Sequence, residues 1–130
     1  MRLLLDTHVF LWFITEDLKL PGSFGEAIRE DRNEVFLSVA SVWKAVVKYR
    51  LGKLPLPAPP AQFLPAQRQA HGILALPIDE GAMAHLAGLP PLHHDPFDRL
   101  LVAHAIQHQL TIVSVDQQVL SYPAPSLAPV

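Results

Sequence analysis

The chain has 130 residues, of which 50% are hydrophobic and 17% are charged, a balance that excludes an intrinsically disordered protein. Its net charge of −2 excludes general electrostatic attraction to nucleic acid, so any such contact needs a local basic surface. The lack of cysteine excludes disulfides and thiolate metal sites, and the apolar runs are too short to cross a bilayer; we therefore expect a cytoplasmic protein that does not bind a membrane.

Short strands and helices alternate along the chain. In chain order we predict a strand at 3–5, helices at 7–15 and 21–31, a strand at 34–38, a helix ending near 50, an extended proline-rich loop at 54–60, a helix at 61–69, a strand at 73–76, helices at 79–87 and 95–109, a strand at 111–115 and a short helix at 116–120. Ser38 or Ser41 can cap the third helix, and Gly52 is its stop signal. The tail adds one edge strand at most.

The alternation of strands and helices predicts the fold class. Parallel neighbouring strands need a crossover connection, and a helix supplies it. We therefore expect a three-layer α/β fold in which a mostly parallel sheet of four or five short strands carries helices on both faces. No linker or repeat divides the sequence, so residues 1–130 are expected to form a single domain.

Three aspartates lie where a predicted strand ends or a predicted helix begins. Asp6 follows the first strand, Asp116 follows the last one, and Asp98 lies in the first turn of the helix at 95–109. The carboxyl ends of the strands border the ligand crevice in such sheets, so these side chains are expected to converge. Converging carboxylates repel one another unless a cation joins them, which indicates a Mg²⁺ or Mn²⁺ site.

Each of these acids also has an ordinary structural explanation. Asp6 and Asp116 can be helix caps, and Asp95 suits the N-cap position of a helix that has Pro96 at its first position. Capping explains Asp98 less well, because the third helical position prefers Glu or Gln. The combination of acids from opposite ends of the chain favours a shared site.

Five stretches resemble the PIN-domain family in their order and spacing: LLLDTH from residue 3, SVASVW from residue 38, LGKL from residue 51, HDPFDRLLVA from residue 94 and TIVSVD from residue 111. The subgroup that the chain resembles is the VapC-type toxin of toxin–antitoxin pairs. This resemblance implies a Mg²⁺- or Mn²⁺-dependent ribonuclease in which Asp6, Asp98 and Asp116 bind the metal and Asp95 is a further acid of the catalytic site. It also implies an antitoxin partner, an RNA substrate and a homodimer.

Lys44 departs from the family pattern, which usually has a glutamate after the helix tryptophan. One account is that Lys44 neutralises the aspartates itself, which leaves a metal-poor, weakened or inactive site. In a second account its side chain turns away, so that three aspartates hold one Mg²⁺ and Lys44 contacts phosphate. A third account, in which Lys44 is a laboratory substitution, makes no structural prediction.

Other residues suggest weaker alternatives. His104 and His108 have the i,i+4 spacing of zinc ligands, but a third ligand would have to come from His93 or His94. Phosphotransfer to Asp6 is unfavoured, because His8 stands where such enzymes usually carry a second aspartate.

Four cations, Lys44, Lys48, Arg50 and Lys53, lie within ten positions. They fit either a solvated helix end or an edge that contacts phosphate.

The sequence therefore favours a metal-dependent endoribonuclease that acts as a toxin. In that chemistry a metal-bound water attacks the phosphodiester, and the metal stabilises the charge that builds on phosphate. The alternative is a catalytically impaired PIN-like module that binds antitoxin or RNA without efficient cleavage, and Lys44 is the residue that favours it.

Overall fold

The computed structural model describes residues 1–92 and 94–129. Its elements in chain order are β1 (Arg2–Leu5), α1 (Thr7–Ile14), α2 (Gly22–Arg29), β2 (Glu34–Ser38), α3 (Val39–Arg50), α4 (Pro60–Ala70), β3 (Leu74–Leu76), α5 (Ala82–Gly88), α6 (Pro96–His108), β4 (Thr111–Val113), α7 (Gln117–Leu120) and β5 (Ser126–Leu127). The strands form one sheet in the order β3-β2-β1-β4-β5, and every neighbouring pair is parallel. The expected α/β fold is confirmed.

The central strand β1 explains why the sheet is covered on both faces. Successive side chains of a strand point to opposite faces, and Leu3, Leu4 and Leu5 are all fully buried. Leu3 and Leu5 pack into an apolar cluster with α1, α2, α3 and α4, whereas Leu4 packs into a second cluster with α6 and α7. The result is three layers, as expected for a parallel sheet.

Three predicted boundaries were wrong by two or three residues, one of them the end of α2, which is at Arg29 rather than at Asp31. Helix α5 begins at Ala82 rather than at Asp79, because the Asp79 carboxylate lies against His108 of α6 instead of capping α5. Strand β4 ends at Val113 rather than at Val115, and the Ser114 side chain is hydrogen-bonded to Asp6. The predicted edge strand exists as β5, paired with β4.

The topology brings the predicted site residues to one edge of the sheet. The strands β1 and β4 are neighbours and end side by side, since Leu5 is paired with Val113. Helix α3 starts directly after β2 at the same edge and packs against α6. Across the described residues, no helix has the length and apolar character to span a membrane.

Candidate active site

Asp6 lies at the end of β1 and is buried. Its Oδ2 accepts a hydrogen bond from Ser114 Oγ at 2.6 Å, and its Oδ1 accepts one from the backbone N–H of Thr7 at 2.7 Å. Burial raises the pKa of the Asp6 carboxyl, and the negative charge of Asp98 raises it further, although the Ser114 hydrogen bond and the Lys44 charge oppose the shift. The protein therefore disfavours the ionised form of Asp6.

Ser114 links Asp6 to Asp116. While its hydroxyl donates to Asp6, its oxygen accepts a hydrogen bond from the Asp116 N–H at 3.0 Å. The Asp116 carboxylate points to the helix that follows, where Oδ1 accepts from the N–H of Gln118 at 2.9 Å and caps α7. Asp116 is thus at the expected edge of the sheet, with its side chain in a capping role.

The first turn of α6 supplies two more carboxylates. Asp95 is the N-cap residue, and its Oδ1 accepts hydrogen bonds from the N–H groups of Phe97 at 2.9 Å and of Asp98 at 3.4 Å. Pro96 occupies the first helical position, where a backbone N–H would have no carbonyl partner within the helix. The absence of that N–H in proline therefore costs no hydrogen bond. Asp98 itself is buried and faces α3. The capping role of Asp95 is the one that the sequence predicted.

Lys44 of α3 reaches both of these carboxylates. Its Nζ lies 3.0 Å from Asp98 Oδ1 and 3.1 Å from Asp95 Oδ2, and the residue is only 5% exposed. Burial alone would lower the pKa of Lys44, but the hydrogen bonds and charges of Asp98 and Asp95 outweigh it and raise the pKa. Burial likewise would raise the pKa of Asp95, yet Lys44 holds that pKa below its ordinary value. The Lys44 ammonium and the Asp95 carboxylate are therefore ionised together.

The position of Lys44 bears on the two structural accounts of this residue. The side chain points toward the acids rather than away from them, with the ammonium paired with Asp95 and Asp98. Asp116 instead caps α7. Whether this pairing weakens metal binding and cleavage stays a prediction.

A divalent ion does not fit the acidic residues in this arrangement. Over residues 1–92 and 94–129, no group of three or more His, Asp or Glu side chains could hold a metal ion. The ammonium of Lys44 takes up one carboxylate oxygen of Asp98 and one of Asp95, and a positive charge beside them repels a second cation. The coordination of a metal by Asp6, Asp98 and Asp116 stays a prediction.

A second polar cluster lies further along α6. Asp79 Oδ1 is 3.2 Å from His108 Nε2 and 3.8 Å from His104 Nε2. His104 is fully buried, with Nδ1 3.0 Å from Ser38 Oγ and with no hydrogen-bond partner for Nε2 in the described structure. Burial lowers the pKa of His104, although the charge of Asp79 opposes the shift. The zinc alternative gains no third ligand here, and His93 lies outside the described residues.

Basic residues of α3 and of the turn after it border a groove beside the acidic centre. Lys44, Lys48 and Lys53 line it together with Asp95 and Phe97. Lys48 and Lys53 form no ion pair with any residue that the structure describes, so this surface keeps its positive charge even though Lys44 is neutralised.

Comparison with known proteins identifies the family. A model of the PIN domain matches residues 3–124. The chain belongs to the PIN-domain family. Among curated relatives of this PIN domain, Ribonuclease VapC22 of Mycobacterium tuberculosis is 28% identical over 123 residues, which cover 94% of the chain and 92% of the relative. Ribonuclease VapC16 of the same organism is 40% identical over 58 residues, which span 45% of the chain and only 41% of that relative.

Solved structures share the fold of this PIN domain. VapBC2 from Rickettsia felis, bound to a DNA fragment from its promoter, gives a TM-score of 0.72 at 17% identity and covers 98% of both chains. DNA-bound VapBC from Salmonella typhimurium gives a TM-score of 0.68 at 16% identity, covering 100% of this chain and 99% of the other. At this identity the likeness shows the fold alone.

Sequence reasoning missed the ion pair between Lys44 and Asp95. The two residues come from different helices, and both have a local explanation, Asp95 as a cap and Lys44 as a helix-surface cation. A signal was available in the substitution itself. A lysine at a position that the fold directs toward carboxylates is expected to pair with whichever of them lies within reach.

Proposed function

We propose that this PIN domain is the toxin-type component of a toxin–antitoxin pair, directed at RNA, in which Lys44 prevents efficient cleavage. In this proposal the chain is a cytoplasmic homodimer that binds its antitoxin and RNA. Support for the RNA target comes from the relatives named as ribonucleases, and support for an antitoxin comes from the VapBC complexes that share the fold.

The single observation that carries the impaired site is the pairing of Lys44 Nζ with Asp98 at 3.0 Å and with Asp95 at 3.1 Å. PIN-type chemistry relies on a divalent ion that acidifies a water and stabilises charge on phosphate. An ammonium supplies a positive charge, but it has no open coordination position for a water and cannot acidify one by direct ligation. Lys44 can therefore neutralise the acids and hold them in place, but it cannot generate the activated water that attacks the phosphodiester.

A second candidate function is the Mg²⁺- or Mn²⁺-dependent endoribonuclease itself. The observation that favours it is the alignment of Asp6 and Ser114 at neighbouring strand ends, joined by a 2.6 Å hydrogen bond, beside the acids of α6. This arrangement keeps all the acids at one edge of the sheet. In that function Lys44 would have to leave Asp98 when RNA and metal bind.

RNA cleavage by matched variants separates the two functions. We expect the wild-type protein to cleave RNA poorly with Mn²⁺ or Mg²⁺, and Lys44→Glu to cleave at least about tenfold faster, because the substitution removes the cation and adds a ligand. Lys44→Gln is the control for folding and for loss of charge alone. It should not reproduce the full gain, because an amide adds no carboxylate.

Asp98→Asn in the Lys44→Glu background should abolish the gained activity. This loss would show that the cleavage takes place at the acidic centre. Efficient metal-dependent cleavage by the wild type, lost in Asp98→Asn, would instead support the second candidate. Absence of cleavage from both the wild type and a folded Lys44→Glu variant would contradict both.

Co-expression tests the partner separately. If a short reading frame lies upstream and overlaps the gene, its product should co-purify with this chain, and light scattering should report a dimer of the toxin-type chain. A monomeric chain that leaves that product behind would contradict the proposed assembly.

A further inference from the structure

A cavity of about 250 Å³ opens along α1. One wall is the helix itself, from His8 in its first turn to Trp12 one turn later. The opposite wall is the proline-rich segment after α3, and the turn that follows α1 closes the end with Asp17 and Lys19. The cavity is thus formed by residues other than the acids of the active site.

Two aromatic rings of α1 face this cavity. The ring centroids of His8 and Trp12 lie 6.0 Å apart, and the planes of the two rings differ by only 28°. His8 is exposed and Trp12 is half-buried, so parts of both rings are open to solvent. Nearly parallel aromatic faces at a protein surface are a platform on which an unpaired base can stack.

The turn after α1 adds hydrogen-bond acceptors at the end of the cavity. Asp17 Oδ1 accepts a hydrogen bond from the Lys19 N–H at 2.9 Å. A carboxylate offers about four acceptor positions, so Asp17 can accept further hydrogen bonds from a ligand. The Thr15 hydroxyl donates to the Leu11 carbonyl at 2.7 Å, which leaves its oxygen as a second acceptor. These acceptors favour a ligand that carries N–H donors.

The cavity adjoins the acidic centre. His8 follows Asp6 by two residues, and its ring lies within electrostatic reach of Asp6 and of Lys48. Lys48 has no ion-pair partner among residues 1–92 and 94–129, so its charge is available to an external anion. A nucleotide whose base fills the cavity can therefore direct its phosphate toward Lys48 and the acids beyond it.

We propose that this cavity holds one unpaired base of a single-stranded RNA, stacked on His8 and Trp12 and hydrogen-bonded through an amino group to Asp17. The inference rests on the proposed function, since the strand would be the RNA at which the PIN domain is directed. It adds a preference for cytosine over uracil. Cytosine carries an N4 amino donor where uracil carries a carbonyl oxygen, which the Asp17 carboxylate would repel.

The walls of the cavity favour a base over an apolar peptide. Leu11 is buried, and Leu54 and Leu56 are half-buried against the core, so little aliphatic surface is left for a peptide to cover. Pro55 restricts the backbone between these two leucines, which holds this wall in place before a ligand binds. Pockets for drug-sized ligands have volumes of about 300–1,000 Å³, so this smaller cavity suits a single ring system.

Binding of short RNA oligomers to the intact chain tests the proposal. The probes are labelled cytidine and uridine pentamers and an abasic pentamer with the same sugar–phosphate backbone, each measured by fluorescence anisotropy without divalent metal. We expect the cytidine pentamer to bind about tenfold more tightly than the abasic one, because the stacking of a base is lost in the latter. It should bind about threefold more tightly than the uridine pentamer, because one hydrogen bond distinguishes them.

The fluorescence of Trp12 reports stacking directly. The chain has two tryptophans, so Trp43→Phe leaves Trp12 as the only one. The unlabelled cytidine pentamer should quench its emission over the same concentration range in which anisotropy reports binding, and the abasic pentamer should not. This measurement leaves the cavity unchanged, so it does not depend on whether a variant at Trp12 folds.

Substitutions locate the base. Trp12→Leu should weaken binding of the cytidine pentamer about tenfold and leave that of the abasic pentamer unchanged. Trp43→Leu is the matched control, because it removes an exposed indole from α3 outside the cavity, and it should leave both affinities unchanged. Asp17→Asn should bring the affinities of the cytidine and uridine pentamers to within about a factor of two, because an amide both donates and accepts.

Equal binding of the cytidine and abasic pentamers, or saturating binding of the cytidine pentamer without quenching of Trp12, would overturn the inference and leave the cavity to a protein partner. Uridine binding as tight as cytidine binding in the wild type would overturn the role of Asp17. These results leave the RNA target standing. Failure of every pentamer to bind would contradict the RNA target as well, whereas quenching of Trp12 without cleavage by any variant defeats the restored nuclease alone.

Discussion

Helix α6 takes part in two partly buried polar clusters that balance their charges in different ways. At its first turn, Asp95 and Asp98 are paired with Lys44, a permanent cation at neutral pH. Near its end, Asp79 faces His104 and His108, which are charged only when protonated. The first cluster therefore has a charge balance that the sequence sets, whereas the balance of the second depends on pH. A residue such as Lys44 can neutralise a buried carboxylate without a metal ion and without a proton taken up from solution.

Removal of Lys44 is expected to have the largest effect on stability. Lys44→Met removes the ammonium that lies 3.0 Å from the buried Asp98 carboxylate, which should lower the free energy of unfolding by about 3–5 kcal/mol. Urea unfolding measures the change. Lys48→Met, one turn later and without an ion pair in the described chain, should change the free energy of unfolding by less than about 0.5 kcal/mol.

The double variant Lys44→Met with Asp98→Leu sharpens this prediction. It removes the buried carboxylate together with the lysine, so it should be more stable than Lys44→Met alone. If Lys44→Met were as stable as the wild type, the first cluster would not depend on its cation, and the contrast with the histidine cluster would fail.

Asp95 is expected to show an intermediate effect, because it caps α6 and pairs with Lys44. Asp95→Ala loses the cap and the ion pair and should lower the free energy of unfolding by about 1–2 kcal/mol. Asp95→Asn retains a capping oxygen and should lose clearly less. Equal losses in urea unfolding would mean that the cap contributes nothing measurable.

The second cluster is expected to respond to acid. The pKa of His104 is lowered in the fold, so the unfolded chain binds the proton more readily and stability falls as the pH drops through the ordinary value of 6.5 toward the lower folded value. The pair of Lys44 and Asp95 stays ionised over that window, because the pKa of Lys44 is raised and that of Asp95 is lowered.

Thermal unfolding at several pH values between about 7.5 and 5 tests this contrast. The wild type should lose more stability on acidification than His104→Gln, because Gln does not take up a proton. Parallel pH profiles of the two proteins would show that His104 is not the group responsible. Asp6 contributes to the pH dependence with the opposite sign, because its pKa is raised in the fold and acid therefore adds stability there. Since both proteins contain Asp6, the difference between their pH profiles reports the contribution of His104.

The strands and most helices were predictable because their patterns are local. Leu3, Leu4 and Leu5 form a continuous apolar run typical of a buried parallel strand, and Asp95 followed by Pro96 begins α6 as expected. The start of α5 was not predictable, since Asp79 is drawn to His108, 29 residues later in the chain. Such a contact leaves no trace in the local sequence.

The convergence of the candidate site residues was predictable, but their contacts were not. The resemblance of the motifs to PIN domains identified Asp6, Asp95, Asp98 and Asp116, and the topology brings their segments to one edge of the sheet. The direction of the Lys44 side chain was undetermined, because its acceptor on Asp98 lies 54 residues away. Only the packing of α3 on α6 fixes that the ammonium points inward.

Calorimetric titration of Mn²⁺ without RNA tests most directly whether Lys44 takes the place of a metal ion. The account predicts no binding to the wild type at the acidic centre. It predicts a binding event in Lys44→Glu, where a carboxylate replaces the cation, and loss of that event when Asp98→Asn is added. Binding of Mn²⁺ to the wild type as tightly as to Lys44→Glu, weakened by Asp98→Asn, would contradict it.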